Sequence, residues 1–139
     1  INKLNMVLNI PIGRGGLMAT MNYSDFQLDD NATIQSLKIL INQCWKTLPI
    51  FEGKNKENKI VYSREEAYEN YQKHLCFLIT KVSGASKIWQ DNQYYVELVY
   101  MLVGMQDFKE DEHDRVKYIV HHCTKLVNNM IDVILNNES

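Results

Sequence analysis

Arg115, His121 and His122 fall within one short stretch of the chain. A guanidinium fork can grip a phosphate, and an imidazole can carry a proton near neutral pH. From Arg115 to His122 is a seven-residue step, about two turns of helix, so on a helix the two side chains share a face. His121 is turned well round from that face. A little upstream, Glu110 and His113 form an E-x-x-H pair. On a helix such a pair could offer two ligands to a metal, but a di-metal bundle needs a second copy and further facing carboxylates. Neither a second copy nor a C-x-x-C or H-x-x-x-H spacing is present. No metal or other cofactor is expected, and Glu110 reads as part of a solvated acidic turn. Gly13-Arg14-Gly15-Gly16 could turn its amides toward a phosphate. It lacks both the GxGxxG and the GK[ST] spacing, so a turn or a loose arm is the simpler reading.

An Arg and a His separated by four to six residues on a helix resembles the R-x(4–6)-H motif of the HEPN family. That resemblance implies a small helical bundle. It further implies a metal-independent ribonuclease acting as a dimer, with His122 moving the proton and Arg115 holding the phosphate.

A second group is aromatic. Tyr62, Tyr68, Tyr71, Tyr94, Tyr95, Tyr100 and Tyr118, with Trp45 and Trp89, sit mostly in the second half of the chain. Aromatics at helical spacing usually fill a core, with their polar ends at its rim. Exposed ones mark a contact surface. Trp89, Tyr94, Tyr95 and Tyr100 are the candidate interface.

The elements that must carry these residues are helices. Ile34, Leu37, Ile41, Cys44, Trp45 and Leu48 repeat at three and four residues, predicting a first helix over about 32–48. Asp29, Asp30 and Asn31 supply caps, and Pro49 should end it. Residues 49–62 read as a loop with a polar Lys/Asn/Glu centre, its ends tied down by Ile50-Phe51 and Ile60-Val61-Tyr62. Ser63-Arg64-Glu65-Glu66 is a capping box, opening a second helix over about 64–82. Gly84 should cap its end. Lys87-Ile88-Trp89 suggests a short extra turn. A third long helix is expected over about 92–106, capped by Asp91 or Asn92 and apolar around much of its girth. Asp107 to Glu110 looks like an Asp capping box for a fourth over about 109–135. The fold class is therefore all-α: a four-helix bundle of antiparallel type, with that short turn as a fifth element. The expected core is Leu37, Ile41, Trp45, Tyr71, Leu75, Leu78, Leu98, Leu102, Ile119, Cys123, Val127 and Met130. Residues 29–139 form the bundle domain. Residues 1–28 lack helical periodicity and read as an irregular arm or a hairpin around the glycines.

Composition bounds the function. In 139 residues, 45% are hydrophobic and 23% charged, as in an ordinary globular domain, and the net charge is −2. That charge gives no general pull toward nucleic acid or an anionic membrane, and Lys54, Lys56 and Lys59 read as a solvated loop. Nucleic acid is expected only under the ribonuclease reading. Cys44, Cys76 and Cys123 are odd in number, widely spaced and set among apolar residues, so all three are expected as buried thiols in a reducing cytoplasm. No apolar run approaches the ~20 residues of a membrane span. The expectation is a non-enzymatic protein–protein interaction module: an adaptor, inhibitor, immunity-type or regulatory protein. Its partner is another protein, and a homodimer through the third or fourth long helix is expected. The ribonuclease with Arg115 and His122 is the alternative.

Overall fold

The computed structural model describes residues 30–137, with side chains to 136, so the arm or hairpin expected over 1–28 lies outside the described residues. Among the described residues five helices follow one another: α1 (Asp30–Glu52), α2 (Arg64–Ser83), the short α3 (Ser86–Trp89), α4 (Gln93–Met105) and α5 (His113–Asn137). Among the described residues there is no β-strand, only an isolated bridge between Lys54 and Ile60. The four long helices form a ring in which α1 packs on α2 and α5, and α4 packs on the same two neighbours. Successive long helices run antiparallel, as the sequence pattern predicts. No helix among the described residues is long and apolar enough to cross a membrane.

Local chemistry sets the helix starts. Ser63 Oγ accepts from the Glu66 amide at 3.1 Å, and Glu66 Oε1 accepts from the Ser63 amide at 3.2 Å, closing the capping box. Asn92 Oδ1 accepts from the amides of Tyr94 and Tyr95 at 2.9 and 3.1 Å. The Asp107 box does not form. Instead Glu112, just ahead of α5, accepts from the Lys109 amide through Oε1 at 2.7 Å. Its carbonyl takes the amides of Arg115 and Val116. Helix α5 therefore begins at His113, and Glu110 lies in the turn before it. Asp30 and Asn31 stand inside α1 and do not cap it from outside.

Pro49 does not stop α1, which runs on to Glu52. Proline removes one ladder bond and crowds the carbonyl four residues back, at a cost of about 3 kcal/mol. The added turn buries Phe51 to 1% exposure, edge-on to Tyr71 at 4.8 Å. Full burial of such a ring contributes about 1.5–3 kcal/mol, enough to offset most of that cost. Gly53 then ends the helix in the left-handed region at φ 80. Its amide reaches the Ile50 carbonyl, and the Lys54 amide reaches the Pro49 carbonyl, the paired bonds of a Schellman turn. Gly84 has right-handed backbone at the end of α2, and the chain passes on into α3.

The core joins Leu37, Tyr71, Leu75, Leu78, Leu98, Leu102, Cys123, Val127 and Met130, as expected. Three expected members differ. Ile41 and Ile119 are only partly buried, and Trp45 is 40% exposed. In α1 the buried stripe is Thr33, Ile34, Leu37, Leu40, Cys44, Thr47 and Phe51, turned into the core that α1 shares with α2 and α5. Cys76 is exposed, while Cys44 and Cys123 are buried thiols, and burial pushes the Cys44 thiol up to about 12. Ile60, Val61 and Tyr62 are exposed and do not anchor the loop. It is held instead by Gly53, whose carbonyl accepts from the amides of Val61 and Tyr62.

Two helix ends are tied across the bundle by tyrosines. Tyr71 Oη donates to the Met105 carbonyl at 2.6 Å and Tyr68 Oη to the Phe108 carbonyl at 2.6 Å. Gln72 Nε2 donates to the Gln106 carbonyl at 3.0 Å. In return Tyr95 Oη, on α4, donates to the Val82 carbonyl near the end of α2 at 3.0 Å. Helix C-termini leave carbonyls without intrahelical donors, and these side chains supply them.

Candidate functional site

The candidate ribonuclease pair does lie on α5, but each member has its own acidic partner. Arg115 is exposed, and its Nη1 sits 3.2 Å from Glu112 Oε2, one turn earlier. His122 Nε2 is 2.6 Å from Glu97 Oε2 of α4, and the imidazole stacks on Tyr118 at 6.3 Å. A carboxylate of this kind fixes the imidazole's orientation. His121 points elsewhere: its ring meets Trp45 of α1 at 4.7 Å, perpendicular to it.

The candidate interface divides. Trp89 and Tyr95 are core residues, 6% and 4% exposed, so neither is available to a partner. The short turn that carries Trp89 packs inward, and Tyr95 is drawn in by its bond to Val82. Trp89 Nε1 is buried with no hydrogen-bond partner. Tyr94 is half-buried. Tyr100 remains 57% exposed on the outer side of α4, beside Val96, with Tyr118 exposed on α5. The middle of this α4/α5 face is the Glu97–His122 bond. Helix α4 contains no Lys or Arg and one acid, Glu97. Gly104 lies on the same outer side, one turn beyond Tyr100. It is helical, with no positive φ, and a Cβ there would meet nothing within 4 Å.

At the end of the bundle where α1 stops and α2 and α5 begin, charges gather round a hollow of about 330 Å³. It is lined by Phe51, Glu52, Lys54, Arg64, Glu110 and His113 among others. His113 Nε2 is 2.6 Å from Glu52 Oε2, and Lys54 Nζ is 3.0 Å from Glu52 Oε1. Partial burial raises the Glu52 carboxyl, but the hydrogen bonds from His113 and Lys54 outweigh it and the net shift is downward. Arg64 caps the Phe51 carbonyl at 2.8 Å and covers the Phe51 ring at 5.3 Å. His113 is thus matched with Glu52, not with Glu110 in a helical E-x-x-H. Among the described residues no group of three or more His, Cys, Asp or Glu could hold a metal ion. This ion-pair cluster ties the α1 terminus to the starts of α2 and α5. Sequence spacing could not show it, since Glu52 and His113 are 61 residues apart.

On the opposite side of α5 from α4, its outer edge meets α1 at Trp45 and His121. Lys38 and Lys46 of α1 and Lys117 and Lys125 of α5 are exposed; Lys38 shares a face with Trp45, and Lys117 and Lys125 stand four residues either side of His121. Sequence spacing does not reveal such a group, because the four lysines come from helices at the two ends of the chain. No protein-family model, curated protein or solved structure was found to match this chain.

Proposed function

We propose that the protein acts by contact rather than catalysis. On this reading it is a helical protein–protein interaction module of the adaptor, inhibitor, immunity-type or regulatory kind, and it pairs with a second copy of itself across the outer face of α4. The observation that carries this reading is Gly104. Glycine within a helix costs up to about 1 kcal/mol relative to alanine. Nothing inside the described fold requires it, since its backbone is helical and the space beside it is open. An approaching helix would require it, because the missing Cβ lets two backbones come close. Val96, Tyr100 and Tyr118 supply apolar surface around it. Electrostatics favour a like partner here. α4 carries one acid and no base, and that acid, Glu97, is hydrogen-bonded to His122, so little charge of one sign faces a second copy. The lysine-bearing α1/α5 side and the acidic start of α2 would each repel their own kind.

Sedimentation velocity over micromolar to hundreds-of-micromolar protein tests the reading. The expected result is a reversible dimer, weakened at least tenfold by Gly104→Leu and by Tyr100→Glu, with the helical circular dichroism of both variants unchanged. A chain that stays monomeric throughout, or a dimer indifferent to both substitutions, refutes it.

A further inference from the structure

We propose that the outer α1/α5 face binds single-stranded nucleic acid, with Trp45 as a stacking platform and Lys38, Lys46, Lys117 and Lys125 on the phosphates. The proposal does not rest on the dimer, because α1 and α4 occupy opposite corners of the bundle.

The charge pattern is the first observation. The chain carries a net charge of −2, yet from Asn31 to Phe51 there is no acid, and from Arg115 to Ile131 there is none either. The acids of these helices stand at or toward their ends: Asp30 and Glu52 in α1, Asp114 and Asp132 in α5. Within the acid-free spans lie Lys38, Lys46, Lys117 and Lys125, all exposed, and none of them forms an ion pair among the described residues. Elsewhere on the surface Lys54 and Arg115 do have carboxylate partners. The acids are concentrated instead around the starts of α2 and α5, at Glu65, Glu66, Glu69, Glu110 and Asp111.

Geometry is the second. Trp45 and His121 touch, and farther along Phe51 faces His113, so α1 and α5 lie side by side and antiparallel. On each helix the two lysines are eight residues apart, about 12 Å along the axis. The indole of Trp45, 40% exposed, shares a helix face with Lys38, seven residues before it, and its neighbour His121 stands four residues from both Lys117 and Lys125. A large aromatic with lysines that form no ion pair among the described residues matches what a single strand presents: a base to stack and phosphates on either side. An acidic peptide would have no use for the indole. A membrane surface would need a broad apolar face, and here the exposed large hydrophobic side chains, Ile39, Trp45 and Tyr118, are interspersed with lysines. A duplex keeps its bases stacked away from Trp45.

Intrinsic fluorescence reads the contact directly. The chain has two tryptophans, and Trp89 is buried, so quenching by added oligonucleotide reports Trp45. The probes are a uridine 15-mer and a thymidine 15-mer at low salt, with a duplex of equal length, polyglutamate and anionic vesicles as competitors. The expected result is saturable quenching by the single strands and a log–log salt slope of about −3, from four phosphate contacts. Anisotropy of a labelled strand should show Trp45→Ala weakening binding by roughly 5- to 100-fold. Lys46→Glu combined with Lys125→Glu should weaken it further at unchanged helicity. Absence of binding at low salt overturns the proposal. So does equal binding of duplex, polyglutamate or vesicles with Trp45→Ala harmless, which would mark a mere counter-ion surface.

Discussion

Replacing Tyr71 by Phe isolates one atom of the fold. The ring stays, so its edge contact with Phe51 and its place in the core are kept. What goes is the hydroxyl that donates to the Met105 carbonyl at 2.6 Å, from a side chain with 0% exposure. A buried hydrogen bond contributes a net of about 0.5–1.5 kcal/mol, and a buried acceptor left unmatched costs about 1–3 kcal/mol. The Met105 carbonyl also takes the Phe108 amide, at the longer distance of 3.2 Å, so it is not stripped of partners. The expected loss is therefore about 1–1.5 kcal/mol. Tyr68→Phe, whose hydroxyl serves the Phe108 carbonyl from a half-buried site, should cost less, because water can replace the donor. Urea unfolding followed by far-UV circular dichroism measures both, at an unchanged slope with denaturant. Hydrogen exchange should also quicken at the end of α4 in the Tyr71 variant and not in the middle of α5. If Tyr71→Phe is neutral or stabilising, or if Tyr68→Phe costs more, then cross-bundle capping does not secure α4.

Stability should also fall on mild acidification through His74. Burial lowers its pKa from the ordinary 6.5, opposed by the bond to the Gln43 carbonyl and helped by Lys46. The folded state thus holds the ring neutral while the unfolded chain takes a proton. Its contribution is complete above about 6.5 and is lost as pH drops below that value. Urea midpoints from pH 7.5 to 5.5 should decline in the parent and decline less in His74→Gln; identical profiles would remove His74 from the account. The Arg115/His122 ribonuclease reading predicts RNA cleavage that survives a chelator and disappears in both Arg115→Ala and His122→Ala. With Arg115 and His122 matched to separate acids, the expected outcome is no cleavage.

Much of the fold is legible in the order of the residues. The stripe of α2 reads correctly, and that of α5 does apart from Ile119, because their buried residues recur every three or four positions. Ser63 with Glu66 and Asn92 with its following amides read correctly because capping is local chemistry, complete within four residues. The departures share one cause. Pro49 is a local stop signal, and it loses to the burial of Phe51 against Tyr71, a residue 20 positions away. Trp45 belongs to an apolar stripe in the sequence, but α1 turns its Leu40, Thr47 and Phe51 side into the core it shares with α2 and α5. Tyr95 and Trp89 look like surface aromatics until a partner carbonyl and the bundle wall enclose them.

What this sequence determined by itself is the set of helices, the N-terminal caps of α2 and α4 and the all-α class, since periodicity and capping act over one or two turns. Only the tertiary structure decided how α1 is rotated and which aromatic side chains are enclosed. It matched Glu52 with His113 and His122 with Glu97. It also set Trp45 of α1 against His121 of α5. Burial and electrostatics act through space, and a helix pattern carries no record of which neighbour will pack against it.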